Sequence, residues 1–379
     1  MAARVDAGAG LVPPDRYAEL DTPVALVELD VLQRNLGGMA ERARRAGVRL
    51  RPHVKTHKST WIARLQIEGG ARGVTVAKLG EAEVMADAGI DDILVAFPMV
   101  GRAKLERLRR LAERVNVIVA LDDLDVALGL GEVGRGLARP LEVYVDVDSG
   151  LHRTGRAPGA ASAALALEVA KIPGLRVRGL MTHAGQSYGA RGAAVERVAV
   201  DEARALADTA AALADGGLSE LELSAGSTPT AFFCEAAKAA VPSLTEVRPG
   251  TYAFNDVNQV TIGVAEEADC ALTILATVVG RQATDRMIVD AGSKTLGGEA
   301  GVGPGHGRVK GDPTVQIERL SEEHGWCRVP PGSSWKAGDR LEIIPNHVCL
   351  VPNLVGEMVG VRGGRAERAI SVEARGMNR

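Results

Sequence analysis

The sequence predicts a (β/α)8 barrel followed by an all-β domain, on three observations. Between about residues 46 and 250, short β-branched runs alternate with Ala/Leu/Glu/Arg-rich stretches of helical period. Eight such runs with seven helices between them, over about 200 residues, is the arithmetic of a closed barrel rather than an open doubly wound sheet. After residue 255 the helical stretches give way to strand-like runs with Gly/Pro-rich connections.

Taken in order, an apolar run at 23–29 precedes the barrel and suits either domain. The expected barrel strands are 48–53, 73–77, 92–97, 116–121, 141–147, 177–183, 220–225 and 244–248. Between them, Lys78-Leu79-Gly80-Glu81 opens a helix that stops at Gly89, and Asp122-Asp123 supplies capping carboxylates for the next. Later strands are expected at 271–280, 286–290, 315–318, 340–344 and 356–362. The expected division is a barrel over 25–255 and a β-domain over 256–379 that includes the N-terminal segment 1–24.

Composition narrows the function. The 45 basic and 48 acidic residues give a net charge of −3 with no long like-charge block, so nothing gathers positive potential for nucleic acid or anionic lipid, and a small-molecule partner is expected. No apolar run approaches the roughly 20 residues that span a bilayer, and the opening MAARVDAGAG has no signal or transit pattern. A cytoplasmic protein is expected. Cys234, Cys270, Cys327 and Cys349 are far apart with no CxxC pair, which fits reduced thiols.

A barrel confines the search for chemistry to the C-terminal ends of its strands, with phosphate usually bound after strands seven and eight. The segment after the seventh expected strand, Ser224-Ala225-Gly226-Ser227-Thr228-Pro229-Thr230, places hydroxyls and backbone N–H groups before a helix-forming run, which suits an anion. Lys55 follows the first strand and would face the same mouth. Cationic surroundings favour the neutral amine that attacks a carbonyl, and a Schiff-base lysine opposite a phosphate cradle indicates pyridoxal 5'-phosphate (PLP). In the β-domain, Asn346-His347-Val348-Cys349 read as a strand puts His347 and Cys349 on one face. Two ligands suit a catalytic ion with open positions rather than a structural site, while a buried cysteine beside a packed histidine is the plain reading of the same pair. A soft thiolate favours Zn2+ over Mn2+ or Mg2+. The run Gly129-Leu130-Gly131-Glu132-Val133-Gly134 fits GxGxxG but ends a helix instead of opening one, so it is rejected as a dinucleotide fingerprint.

The motifs RPHVKTHK, VDVDSGLHRTG, THAGQSYG, SAGSTPTA, RPGTYAFND, DAGSKTLGGE, LSEEHG and PNHVC, in that order from about residue 20 to 360, resemble the D-threonine aldolase and D-serine dehydratase group. These are PLP enzymes of the alanine-racemase fold with a C-terminal β-domain. The resemblance implies that Lys55, not Lys58, carries the cofactor and that Gly226, Ser227 and Thr228 hold its phosphate. It places Arg153 near the pyridine ring and its 3-hydroxyl, and Tyr188 and His183 on the substrate side, with His183 the candidate base. Relatives bind a divalent ion at a His-x-Cys or His-x-Asp pair beside PLP, which here is His347 and Cys349. The implied substrate is a β-hydroxy-D-amino acid and the implied assembly a homodimer. D-threonine aldolase is the first reading, because length and the barrel half look most like aldolases. D-serine or D-3-hydroxyaspartate dehydratase is the alternative, because Cys349 replaces the aspartate of well-known aldolases. A PLP-homeostasis protein or a racemase is more remote, since carriers resemble the barrel alone and racemases lack the metal pair. His324, in LSEEHG, receives no role.

Overall fold

A computed structural model describes residues 10–299 and 301–379; residues 1–9 of the leading segment and Ala300 lie outside the described residues. The chain divides into two compact units, Leu36–Tyr252 with Gly376–Arg379, and the chain up to Asn35 with Ala253–Arg375.

Strand β1 (Val24–Glu28) belongs to the second of these. The first unit holds β2 (Arg49–Leu50), β3 (Val74–Val76), β4 (Asp92–Val95), β5 (Asn116–Leu121), β6 (Leu141–Asp146), β7 (Leu175–Met181), β8 (Glu222–Ala225) and β9 (Glu246–Val247). They pair in parallel in the order β2-β9-β8-β7-β6-β5-β4-β3. The ring closes between β3 and β2 through a parallel bridge of His53 with Thr75, and Thr75 N–H donates to the Pro52 carbonyl at 2.8 Å. Strands β3 and β4 are buried throughout, as strands covered on both faces must be. The expected first strand, 48–53, shrinks to two residues. Pro52 brings no N–H to the ladder, and the chain turns into a 3-10 helix at Val54–Thr56.

The barrel interior is not uniformly apolar. Arg51 has no exposed surface and donates to Glu246 Oε2 at 2.8 Å and Asp92 Oδ1 at 2.6 Å. Such a buried cation is tolerable only when paired on this scale, since desolvating it alone costs several kcal/mol by order of magnitude. The rejected glycine run has a packing explanation. It lies inside the helix Leu124–Arg135, where a Cβ on Gly131 would strike Ile172 and one on Gly134 the Gly174 carbonyl.

The second unit is antiparallel around β10 (Leu272–Ala283), β11 (Arg286–Val289), β12 (Arg308–Val309), β13 (Gln316–Leu320), β14 (Gly325–Arg328), β15 (Arg340–Ile344), β16 (Glu357–Arg362) and β17 (Arg365–Ser371). The order is β11-β14-β13-β12-β15-β10-β1-β16-β17, and β10 also pairs with β11, so that six strands form a closed ring. The run at 23–29 is thus a strand of this sheet, antiparallel to β10 and parallel to β16. Among the described residues no helix is long and apolar enough to cross a membrane.

Candidate active site

Within the barrel unit, the residues expected at the mouth converge. Lys55 sits half-buried in the 3-10 turn that follows β2. Lys58 points elsewhere: it is buried, and its Nζ bonds Glu81 Oε1 at 2.6 Å. It is therefore held in an internal ion pair, while Lys55 remains at the strand end.

The two histidines near Lys55 report the local field. Burial, followed by the charges of Lys55, His183 and Arg248, holds His53 well below the ordinary imidazole range. His53 Nδ1 is buried without a hydrogen-bond partner. Burial, then Lys55, Arg153 and Arg248, lowers His183 to about 3. His183 is thus an unprotonated base at neutral pH, and its Nδ1 lies 3.4 Å from the Gly226 carbonyl. Arg153 is exposed in the loop after β6, where Asp148 accepts from the Gly150 and His152 N–H groups. Asp146, at the end of β6, accepts from Thr154 Oγ1 at 2.8 Å, and burial raises its carboxyl to about 6. Tyr188 is half-buried in the 3-10 turn Gly185–Gly189 after β7.

The loop after β8 is tied down by hydroxyls. Ser227 Oγ lies 3.0 Å from Ser187 Oγ, and Ser227 N–H donates to Thr230 Oγ1 at 3.0 Å. Thr228 Oγ1 accepts from the N–H groups of Gly250 and Tyr252 at 3.0 and 3.2 Å, so its own proton is the donor it offers. Gly226 takes φ +111°, a backbone conformation that favours glycine, and a Cβ there would stand 3.2 Å from Arg248 N. Clustered cations, hydroxyl donors and a lysine amine are a donor set that fits a phosphorylated aldehyde, with Lys55 for the carbonyl carbon and Ser227 and Thr228 for phosphate oxygens.

Sequence reading gave Arg248 and Glu202 no role. Arg248 is buried at the end of β9, where its Nη1 donates to Ser224 Oγ at 2.5 Å and its Nη2 to the Thr182 carbonyl. Its signal was available, as an arginine closing the eighth strand in RPGTYAFND. Glu202 had none, since one glutamate in an Ala-rich helix reads as surface.

The neutral state of His183 carries a stability prediction. Its folded pKa lies below the usual 6.5, so its contribution is present above pH 6.5 and is lost progressively as pH falls toward about 3, over the range where only the unfolded state binds the proton. The thermal midpoint of the protein should fall more steeply between pH 6.5 and 4 than that of His183→Asn. Parallel melting curves for the two proteins would sink this assignment. Asp146 and Glu202 are raised and act with the opposite sign, but equally in both proteins.

In the β-unit, the His347–Cys349 pair departs from expectation. It lies not in a strand but at the start of a 3-10 turn, Val348–Leu350, with His347 at its N-cap. The cause is remote in sequence: fully buried Asp256 caps the helix Val257–Ile262 through Gln259 N–H at 3.0 Å and, with its other oxygen, takes Val348 N–H at 3.0 Å. The turn still brings the two side chains together, since Cys349 hydrogen-bonds His347. His347 Nδ1 lies 2.7 Å from Glu299 Oε2. Burial opposes a charge on His347, but Cys349, Asp256 and Glu299 outweigh it and raise the imidazole to about 10. A place that stabilises positive charge beside a thiol and an imidazole fits a divalent ion in its donor chemistry. Among the described residues no cluster of three or more His, Cys, Asp or Glu residues is arranged to hold a metal, so the pair would leave positions open.

Lysine, hydroxyl loop and neutral histidine define a pyridoxal-phosphate enzyme on an alanine-racemase scaffold, and comparison with known proteins agrees. Residues 27–257 match the family "Alanine racemase, N-terminal domain" and residues 271–361 the family "Putative serine dehydratase domain". The chain belongs to the alanine racemase N-terminal domain family, in its branch of PLP-dependent aldolases and dehydratases. It is 35% identical to a D-threonine aldolase of Arthrobacter sp. over all of both chains. It is also 35% identical to the D-threo-3-hydroxyaspartate dehydratase of Delftia sp. (strain HT23), over 88% of this chain and 92% of that one. That dehydratase has been solved as a cysteine-to-alanine variant in the metal-free form, to which this chain is 33% identical with a TM-score of 0.86, over 94% of this chain and 98% of that one. The crystal structure of D-threonine aldolase from Filomicrobium marinum superposes with a TM-score of 0.87 at 33% identity, covering 99% of this chain and 100% of that one.

Proposed function

We propose that this chain is a PLP- and divalent-metal-dependent lyase of β-hydroxy-D-amino acids, and that its reaction is the retro-aldol cleavage of D-threonine-type substrates to glycine and an aldehyde. The observation that carries the reading is His183, an imidazole kept unprotonated beside Lys55, because cleavage of Cα–Cβ needs a base for the β-hydroxyl proton. Burial is the largest cause of its depression; the cations that add to it, Lys55, Arg153 and Arg248, are those that a substrate carboxylate would offset, which would raise the imidazole part of the way back. Lys55 would hold the cofactor through its amine, and when that amine is free it can carry a proton. Ser227 and Thr228 would hold the phosphate with Gly226 admitting it, Arg153 would serve the ring, and Tyr188 would border the substrate. PLP, when bound, supplies an electron sink for the bond broken at Cα. His347 and Cys349 would hold the ion, Zn2+ before Mn2+ or Mg2+, which would act as a Lewis acid on the β-oxygen. We further place the enzyme in the cytoplasm, where its four free thiols stay reduced, as a homodimer.

Cys349 favours a second reading, dehydration of D-serine or D-3-hydroxyaspartate, in which Lys55 removes the Cα proton and the β-hydroxide departs. Incubating the enzyme with D-threonine, D-serine and D-threo-3-hydroxyaspartate separates the two. Glycine with an aldehyde is expected; a 2-oxo acid with ammonia as the main product would give the dehydratase precedence, and neither product from any of the three would sink both.

A further inference from the structure

Glu202 sits midway along the helix Ala193–Asp215 and is 2% exposed. A glutamate buried on the inner side of a barrel helix is costly unless donors meet it. Here they do. Its Oε2 accepts from Gly226 N–H at 3.1 Å, and its carboxylate also bonds the Thr230 hydroxyl and the Ala184 N–H. Thr230 Oγ1 in turn accepts from Ser227 N–H at 3.0 Å. One carboxylate therefore gathers the turn that opens after β7 and the loop that follows β8. The N–H groups of Gly226 and Ser227 are thereby taken up by Glu202 and Thr230, which leaves the hydroxyls of Ser227 and Thr228 as the loop's own donors for a ligand.

We propose that Glu202 is the positioning residue of the phosphate loop: it fixes Gly226 directly, and Ser227 through Thr230, in the arrangement that receives the cofactor's 5'-phosphate. This rests on the PLP reading above and adds a residue that touches neither cofactor nor substrate. Three donors around one carboxyl call for the ionised, acceptor-only form, because a neutral acid would have to turn a proton toward one of them. Burial outweighs the pull of Thr230, Gly226, Arg248 and Ala184 and leaves the carboxyl at about 7, so the ionised form that these donors call for shares the site with the neutral one near neutral pH.

The test compares two ligands that differ only in the phosphate. Full-length protein, stripped of cofactor, is titrated with PLP and with pyridoxal, following the visible absorbance of the lysine-bound aldehyde. Glu202→Gln keeps the shape but loses the charge-assisted bonds. It should weaken PLP by roughly 10- to 100-fold and leave pyridoxal within about twofold of wild type. Thr230→Val removes the acceptor of Ser227 N–H and should shift the same ratio by about three- to tenfold. A ratio unchanged in Glu202→Gln, or equal losses on both ligands, overturns the inference. Should Glu202→Gln fail to fold, the Thr230→Val ratio decides alone. A wild-type protein that takes up neither aldehyde instead overturns the cofactor reading, which keeps the two failures apart.

Discussion

Lys55→Ala should remove the visible absorbance of bound cofactor and lower turnover by roughly 10²- to 10⁴-fold, the scale at which loss of a reacting amine or proton carrier is felt. Lys58→Ala should do something different. Its side chain is 7% exposed and Glu81's is 2%, so removing the ammonium strands a buried carboxylate, at a cost of about 3–5 kcal/mol of fold stability. Glu81 also accepts from the N–H groups of Ala77 and Lys78, and so fixes the chain after β3; the damage should be to melting temperature while the absorbance persists in whatever protein folds. Spectra and thermal melts of the two variants make the contrast directly. An absorbance lost in Lys58→Ala and kept in Lys55→Ala would reverse the assignment.

The part of this molecule that was legible in the sequence is the part whose physics is local. Strands β3 to β5 announce themselves because parallel strands buried on both faces are rich in Val, Ile, Leu and Ala. Strand β17 does not: of its seven residues only Ile370 is buried, so RAERAIS shows no alternation, and it is a strand by pairing with β16. The candidate residues at strand ends could be found because barrel topology says where to look. Glu202 could not, since what makes it special is Gly226, 24 positions later, whose N–H it accepts. Arg51 and Glu246 are equally hidden, as two charged residues in strands that look solvent-facing until closure of the ring seals them inside. The turn at His347 was misread as a strand for the same kind of reason, because the carboxylate that bends it, Asp256, is supplied 92 positions earlier.

If the proposed ion is held by the His347–Cys349 pair, chelation should stop turnover and leave the visible absorbance of the cofactor largely intact, because the proposed anchor of the aldehyde is Lys55 and neither of these residues. The pair offers one borderline and one soft ligand, and the acceptors around it, Glu299 and Asp256, stabilise positive charge. With so few protein ligands, an ion there would keep coordination positions open for oxygen ligands, which would suit an agent of the reaction better than one of the fold. Activity should return on adding Zn2+. Cys349→Asp replaces a soft donor with a hard one and should move the preference toward Mn2+ or Mg2+. If elimination of the β-hydroxide depends on the stronger Lewis acid, this variant should lose more dehydratase than aldolase rate. Asp256→Asn, which keeps the size but weakens the grip on Val348 N–H, should cost about 10- to 100-fold in metal affinity, as loss of a group that orients a ligand does. The decisive measurement is the rate of chelated protein, shown metal-free by elemental analysis, on D-threonine, D-serine and D-threo-3-hydroxyaspartate. Full activity on all three would return His347 and Cys349 to a structural role, with the short contact to Glu299 their reason for being together.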